Sequence, residues 1–224
     1  MNTTKEEQYD IVFDVIEKHG RSQFGLMANE SWNQDPKRTL FTLARYKFVA
    51  KMLSGLNNVL EVGCADAFGT RLVQQEVKHV TAVDFDPIFI QDAKERMNPN
   101  WSFECFVHDM LHSPIPGNYD AVYSLDVLEH ISPEDENLFM KNIVDSLGSG
   151  EIAILGIPSL ESQEFASPQS KAGHVNCKSG KDLKIFLSQY FKNVFVFSMN
   201  DEVVHTGFYS MAHYLFGLCT GIKR

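Results

Sequence analysis

Short apolar runs alternate with segments of helical spacing through the middle of the chain. Each apolar run is bounded by polar or glycine-containing turns, which is typical of buried strands. Five runs are predicted strands: 58–63, 79–84, 103–108, 119–125 and 151–157. The helices predicted between them occupy about 69–77, 87–96 and 132–147. Alternating strands and helices favour βαβ units, so the predicted fold class is α/β, with a doubly wound, mostly parallel sheet and helices on both faces.

The N-terminal part of the chain has a helical pattern of its own. Apolar residues at helical spacing predict an amphipathic helix over about 5–19, which ends at Gly20. A second helix is predicted over about 38–53, and the segment between the two helices is predicted to be a loop. Residues 1–56 are therefore expected to form a helical extension, or lid, in front of a core fold over residues 57–224.

The C-terminal part lacks a crossover helix between its last two predicted strands. A helix at about 180–190 precedes a strand at 193–198, and a final strand follows at about 207–216. Two strands joined by a short loop must pair antiparallel if they are neighbours. The complete prediction is a seven-stranded sheet with an antiparallel C-terminal strand, within a single domain of residues 1–224.

Composition and charge narrow the class of protein. The 224 residues are 44% hydrophobic, which is enough for one compact domain with a sizeable core. The formal net charge of −9 opposes a nucleic-acid backbone or an anionic membrane as the main partner. One predicted helix carries basic side chains that form either a solvated face or a local basic patch: Lys37, Arg38, Arg45, Lys47 and Lys51.

The sequence shows no sign of export or of a metal site. No apolar run is long enough to span a bilayer, and the N-terminus is too polar for a signal peptide. The four cysteines are far apart and form no CxxC pair, so we expect reduced thiols in a cytoplasmic protein. The histidines show no zinc-like spacing, and no metal site is predicted.

The most informative segment is the small-residue loop from Gly63 to Gly69, directly after the first strand. Such a loop allows close approach of the backbone to a ligand near a helix N-terminus. Asp84 ends the second strand, where a carboxylate can accept both ribose hydroxyls of a nucleoside. Asp86 is a competitor, but it precedes Pro87 and resembles a helix cap.

Two further acidic positions follow the third and fourth predicted strands. Asp109 lies where a carboxylate can accept the exocyclic amine of adenine, and the run Asp126 to His130 (DVLEH) leaves the fourth strand. Ligands of open α/β sheets bind at the carboxyl ends of the strands. We therefore expect these positions to surround one nucleoside-containing ligand.

Together these motifs resemble the class I S-adenosylmethionine (SAM)-dependent methyltransferases. Glu61-x-Gly63 matches the first motif of that family, Asp84 its ribose-binding acid, Asp109 its adenine-side acid, and DVLEH a frequent form of its fourth motif. The resemblance implies SAM as cofactor and S-adenosylhomocysteine as product. The cofactor-binding residues that it implies are Glu61, Gly63, Cys64, Ala65, Asp66, Asp84, Phe85, Asp109, Met110, Asp126 and Val127.

The loop departs from the family pattern at two positions. The family often has glycine where this chain has Ala65 and Ala67, and alanine disfavours positive φ. We therefore expect a slightly shifted loop and a modest affinity for the cofactor. A nicotinamide dehydrogenase is disfavoured, because its GxGxxG fingerprint requires glycine where Ala65 and Phe68 stand.

The residues expected to act on the acceptor are histidines and aromatic residues. The methyl group of SAM is attached to a sulfonium, so a base is needed only if the nucleophile must lose a proton. His130, which could instead cap a helix, and His174, which could instead bond to its own loop, are the predicted catalytic residues. The residues predicted to contact the acceptor are Trp32, His174, His205 and Tyr209.

The predicted function is methyl transfer to an oxygen or nitrogen of a small-molecule acceptor, such as a sugar, a surface-polysaccharide precursor or another metabolite. The acidic charge and the lack of an added domain for macromolecules favour a small acceptor. Two alternatives stay open: a SAM-binding regulatory protein without turnover, and a methyltransferase acting on protein or RNA. The sequence is compatible with either a monomer or a homodimer.

Overall fold

The computed structural model describes residues 3–207 and 209–223. Its centre is an eight-stranded sheet in the order β3-β2-β1-β4-β5-β8-β6-β7. The strands are β1 (Asn58–Val62), β2 (His79–Asp84), β3 (Glu104–Val107), β4 (Tyr119–Leu125), β5 (Leu147–Pro158), β6 (Phe191–Asn200), β7 (Val203–His205) and β8 (Tyr214–Ile222). The α-helices are α1 (Ile11–His19), α2 (Leu26–Gln34), α3 (Pro36–Met52), α4 (Thr70–Gln74), α5 (Pro87–Arg96), α6 (Glu136–Ser146), α7 (Pro168–Gly173) and α8 (Gly180–Leu187).

The strands from β3 to β5 run parallel, and β8 enters antiparallel between β5 and β6. The predicted fold class, α/β with a mostly parallel, doubly wound sheet and an antiparallel C-terminal strand, is confirmed. The chain order reverses between β1 and β4, which pair directly. In such a sheet, a crevice opens beyond the carboxyl ends of the two strands at this reversal.

Helices cover both faces of the sheet, as predicted. Along β4, Val122 belongs to one hydrophobic cluster, whereas its neighbours Ala121 and Tyr123 belong to the other. Helices α6 and α8 pack on the first face, and α3 and α4 pack on the second. This alternation is expected of a strand that is buried on both sides.

Two simpler properties of the chain are also visible. The four cysteines are free thiols, as expected. Within the described residues, no helix combines the length and the apolar character that crossing a membrane requires.

The sheet has one strand more than predicted, and the last strand lies further along the chain. The additional strand, β7, pairs antiparallel with the end of β6 and has three residues, too few for an alternation pattern to indicate it. The final strand was predicted over 207–216, but β8 starts at Tyr214 and runs through Gly217 and Gly221. These glycines interrupt the apolar run, and tertiary pairing with β5 and β6 overrides their low strand preference. Phe208 lies outside the described residues.

The predicted loop between the first two N-terminal helices is wrong, because it contains α2. This helix has no buried residue and no capping side chain at its own N-cap, so little in its local sequence indicates it. Its first amides are instead bound by distant carboxylates: Asp92 Oδ2 accepts from Leu26 N at 3.2 Å, and Asp66 Oδ2 accepts from Ala28 N at 2.8 Å. Helix α2 therefore depends on contacts with the core that local sequence cannot show.

Candidate active site

A cavity of about 410 Å³ opens where the chain order of the sheet reverses. Its floor is the loop after β1 and the segment after β4, and its walls come from α2, α3 and the segment that follows β5. Cavities of roughly 300–1,000 Å³ are typical of small-molecule sites. The predicted extension thus contributes directly to the site.

The loop after β1 has left-handed backbone at three positions. Gly63 has φ 76°, and a Cβ there would lie 2.2 Å from Cγ2 of Val127. Ala65 has φ 45° and Ala67 has φ 52°. Both alanines therefore adopt the conformation that glycine favours, at a cost of roughly 1–2 kcal/mol each. The alanines therefore preserve the tight turn after β1, and their left-handed backbone conformation makes this turn strained.

Glu61 lies beneath this loop and outside the cavity wall. It is 1% exposed, and its carboxylate accepts hydrogen bonds from the hydroxyls of Tyr46, Tyr123 and Thr70, both tyrosines at 2.7 Å. Burial raises the pKa of Glu61 above its ordinary value, although the three hydroxyl donors oppose the shift. The predicted cofactor-binding residue therefore joins α3, α4, β1 and β4 beneath the site.

Asp66 connects the loop to the N-terminal extension. One carboxylate oxygen accepts from Ala28 N in α2, and the other accepts from Phe68 N at 3.1 Å. Phe68 packs against Phe24, and Phe24 stacks on Trp32 with ring centroids 5.3 Å apart. The extension is thus attached to the loop by hydrogen bonds and by an aromatic row.

Arg45 of α3 reaches into the cavity, where it binds Asp126. Its Nη1 donates to both carboxylate oxygens of Asp126 at 2.7 Å, and its guanidinium lies 4.0 Å from the ring centroid of Tyr214. Asp126 is itself in left-handed backbone, with φ 57°. The sequence placed Arg45 only in a basic helix, because the pairing joins residues 81 positions apart.

Three of the other four basic residues of that helix are ion-paired, whereas Lys47 is exposed and has no ion pair among the described residues. Arg38 pairs with Glu30, Lys51 with Glu76, and Lys37 with Asp35. Exposed pairs of this kind contribute little to stability, but they reduce the positive potential that a phosphate backbone would meet.

His130 and His174, the two predicted catalytic residues, meet at the cavity wall with ring centroids 5.1 Å apart. Nδ1 of His130 lies 2.9 Å from the carbonyl oxygen of Gly173, and Nδ1 of His174 lies 2.8 Å from Oε1 of Gln163. Both acceptors require a protonated Nδ1, so Nε2 of each neutral ring carries the lone pair. Burial first, and His130 second, lower the pKa of His174.

Glu129 completes this group, although the sequence had not singled it out. It is 1% exposed and lines the cavity beside the two histidines. Burial raises the pKa of Glu129 well above its ordinary value, and the neighbouring Asp126 carboxylate raises it further. Its carbonyl oxygen accepts from the amides of Val175 and Asn176, which holds the His174 segment against the end of β4.

The predicted cofactor residues divide into two groups. Five line the cavity: Gly63, Cys64, Ala65, Asp66 and Asp126. Val127 contacts the loop at Gly63 from outside the cavity lining. Asp84 accepts from Ala65 N at 2.8 Å and from Asp86 N at 2.9 Å, and burial raises its pKa.

The remaining predicted cofactor residues lie at the carboxyl ends of β2 and β3, outside the cavity lining. Phe85 is 72% exposed, Asp109 is exposed and caps a turn at Leu111 N, and Met110 is buried. Asp86 bonds Ile88 N and caps α5, as expected from its place before Pro87.

Among the predicted acceptor contacts, only His174 lines the cavity. Trp32 lies on Phe24, on the outer side of the aromatic row. His205 accepts from Gly207 N and contacts Asn200, so both ring nitrogens are used within the β6–β7 hairpin. The Tyr209 hydroxyl donates to the carbonyl oxygen of Val196. The dense polar and aromatic run that favoured these residues belongs to the hairpin.

Comparison with known proteins agrees with this geometry. Residues 59–150 match the family model described as a methyltransferase domain. The structure of the N-methyltransferase NodS from Bradyrhizobium japonicum WM9 with S-adenosyl-L-homocysteine has 17% identity and TM-score 0.64, covering 85% of this chain and 90% of that one. No curated protein matches the chain by sequence.

Two further solved structures share the fold. A SAM-dependent methyltransferase from Clostridium acetobutylicum ATCC 824 has TM-score 0.68 and 12% identity, covering 87% of this chain and 97% of that one. The DhpI–SAH complex has TM-score 0.65 and 16% identity, covering 88% and 92%. With the strand order and the loop after β1, the match over residues 59–150 and these likenesses show that the chain contains a methyltransferase domain and has the fold of the class I SAM-dependent methyltransferases.

Proposed function

We propose that this protein transfers the methyl group of SAM to an oxygen or nitrogen of a small, polar acceptor held in the 410 Å³ cavity. The observation that carries the proposal is the position of this cavity, between the loop after β1 and the pair His130 and His174. The N-terminal extension lines the opposite side of the cavity. We propose that residues 1–224 form one methyltransferase domain that acts in the cytoplasm, with residues 1–56 as its helical extension.

The cofactor is proposed to occupy the crevice at the carboxyl ends of β1 and β2. The backbone around Cys64, Ala65 and Asp66 faces the cavity and suits the amino-acid part of SAM. Asp84 retains free lone pairs beside its two backbone donors and is the proposed ribose acceptor. Asp109 and Met110, with exposed Phe85, are proposed to border the adenine, and Asp126 and Val127 to close the crevice.

The residues around the acceptor supply orientation and a proton acceptor. Bound SAM supplies a methyl group on a sulfonium, which is already an activated leaving group. In their neutral forms, His130 and His174 each carry a lone pair on Nε2 and are fixed by their Nδ1 contacts. Either Nε2 can accept the proton of an acceptor hydroxyl or ammonium, and the fixed rings reduce the entropy lost on alignment.

Charge favours a small acceptor over RNA. The paired basic residues of α3 leave little free positive charge beside the cavity, and the chain as a whole carries −9.

Calorimetric titration with SAM, S-adenosylhomocysteine and NADH tests the cofactor assignment. We expect both adenosyl ligands to bind and NADH not to bind. Asp84→Asn should weaken SAM binding by about 10-fold or more, because a charge-assisted hydrogen bond contributes about 1.5–3 kcal/mol. Asp145→Asn, an exposed change in α6, is the matched control and should bind as the wild type does. Binding of NADH, or equal SAM affinity in both variants, would contradict the assignment.

Isotope transfer tests the acceptor class. An extract of the cells that make the protein is divided by ultrafiltration, and each fraction is incubated with enzyme and methyl-labelled SAM. We expect labelled product in the low-molecular-weight fraction. Label confined to the macromolecular fraction would favour a protein or RNA acceptor. SAM binding without label in either fraction would favour the regulatory alternative.

A further inference from the structure

Three potential ligand side chains converge at one point of the cavity wall. Glu129, His130 and His174 each direct a carboxylate oxygen or ring nitrogen there, and these atoms all lie within 4.8 Å of one another. All three residues line the cavity. The histidines are 44 positions apart in the sequence, so a search for metal-binding spacing could not have found the group.

The two imidazoles are held in the way that metal-bound histidines usually are. Nδ1 of His130 donates to the carbonyl oxygen of Gly173, and Nδ1 of His174 donates to Oε1 of Gln163. Gln163 is itself fixed, because its Nε2 donates to the carbonyl oxygen of Ser159 at 3.2 Å. Such contacts at the far nitrogen fix the tautomer and leave Nε2 to bind a metal ion.

An independent observation comes from the carboxylate. Oε2 of Glu129 is buried, and it has no hydrogen-bond partner among residues 3–207 and 209–223. The nearby cation of Arg45 does not satisfy it, since Nη1 of Arg45 donates to both oxygens of Asp126. A buried carboxylate oxygen without a partner is costly, and a bound cation at this point would remove that cost.

We propose that Glu129, His130 and His174 bind one divalent transition-metal ion at the acceptor end of the cavity. Two imidazole nitrogens and one carboxylate suit Zn²⁺, Fe²⁺, Co²⁺ or Mn²⁺, whereas Ca²⁺ and Mg²⁺ favour oxygen ligands. Tetrahedral ligands at about 2.0–2.1 Å are roughly 3.4 Å apart. Small side-chain rotations that close the group by up to about 1.4 Å therefore complete the site.

The ion would also define the class of acceptor, and this part of the inference rests on the proposed function. Three protein ligands leave at least one coordination position open to the cavity, where an acceptor hydroxyl can bind. Binding to the ion lowers the pKa of that hydroxyl and fixes its direction. With both Nε2 atoms bound to the ion, the ion replaces the histidines as the group that activates the acceptor, and the hydroxyl proton leaves to solvent. The new O–CH₃ bond forms as the S–CH₃ bond breaks, and the sulfonium becomes a neutral thioether. A hydroxyl, rather than an amine, is then the group methylated.

Metal titration of the chelator-treated, dialysed protein tests the site without any acceptor. With Co²⁺ as probe and visible absorption as readout, we expect one site per chain. Glu129→Gln and His174→Ala should each weaken Co²⁺ binding by more than about 100-fold. His79→Gln, an exposed histidine at the opposite end of the strands, is the matched control and should bind Co²⁺ unchanged.

A positioning variant separates a metal site from a merely structural cluster. Gln163→Ala removes the contact at His174 Nδ1 and leaves all three ligands in place, so Co²⁺ affinity should fall by about 10–100-fold. Zn²⁺ should displace Co²⁺ from the wild-type protein.

The outcomes also distinguish this inference from the proposed function. Absence of Co²⁺ binding, or equal Co²⁺ affinity in the ligand variants and His79→Gln, would overturn the metal site. If SAM still binds in that case, the proposed function stands without the ion. Stoichiometric Co²⁺ binding that depends on the three ligands supports the site even where SAM binding fails.

Discussion

At the scale of single residues, the loop after β1 is controlled by backbone conformation. Gly63 combines positive φ with a close approach to Val127, so it has two separate reasons to lack a Cβ. Ala65 has positive φ but no such requirement, and its Cβ only adds strain. Glycine is therefore the more stable residue at both positions, for two reasons at position 63 and for one at position 65.

We expect Gly63→Ala to destabilise the protein by about 2–3 kcal/mol, since it adds left-handed strain and overpacks Val127. Ala65→Gly should stabilise by up to about 1 kcal/mol, because relief of strain exceeds the added entropy of the unfolded chain. Urea unfolding measures both changes. Adding Val127→Ala to Gly63→Ala should restore part of the loss. Destabilisation by Ala65→Gly would show that left-handed strain does not control the stability of this loop.

Single residues also show what sequence can reveal about a site. Gly63, Asp84 and Asp126 are predicted as site residues because each ends or directly follows a short apolar strand, and strand ends are visible in the pattern. Arg45 and Glu129 were not found as site residues, since their roles depend on partners brought close only by the fold. His205 and Tyr209 are predicted to contact the acceptor because they lie in a run of polar and aromatic residues. In the structure, their side chains form hydrogen bonds within the β6–β7 hairpin region.

At the scale of elements, the predicted and observed bounds agree best where the local sequence pattern is strongest. Strands β2 and β4 and helix α5 have the predicted bounds, because each is bordered by polar, glycine or proline residues. Helix α2 and strand β7 were missed, since one is stabilised by distant carboxylates and the other is very short. Sequence pattern thus predicts the core of the sheet, whereas the elements at its margins depend on tertiary contacts.

We expect Asp66→Ala to loosen α2 without unfolding the sheet. The lost carboxylate at the helix N-terminus contributes about 1–2 kcal/mol through its hydrogen bond and its charge. Amide hydrogen exchange in α2 should therefore become about 5–30-fold faster, with β1 and β4 unchanged. Asp145→Ala, a change at an exposed position of α6, is the control. Unchanged exchange in α2 would mean that Asp92 and the aromatic row hold the extension without Asp66.

At the scale of the whole molecule, Glu61 couples global stability to pH. Its carboxyl group accepts hydrogen bonds from side chains of α3, α4 and β4, and burial raises its pKa above the ordinary 4.5. The folded protein therefore keeps this proton to a higher pH than the unfolded chain does. The contribution of Glu61 to stability is present below pH 4.5 and is lost as pH rises through the folded pKa.

Glu61→Gln removes this titration and keeps an acceptor for the hydroxyls. Urea unfolding of both proteins between about pH 4 and pH 8 should show the wild type losing stability relative to the variant as pH rises. A stability difference that is constant with pH, or that grows in favour of the wild type, would contradict the raised pKa of Glu61.

The capping of α2 has a consequence for the order in which the protein is made. Its carboxylate partners, Asp66 and Asp92, lie 38 and 66 residues after the amides that they bind. At roughly 5–20 residues per second, the ribosome delivers them about 2 to 13 seconds later. A helix of nine residues is marginal in isolation, so this stretch waits as largely unstructured nascent chain. The wall of the cavity that is translated first can therefore form only after β1, β2 and part of α5 have been made.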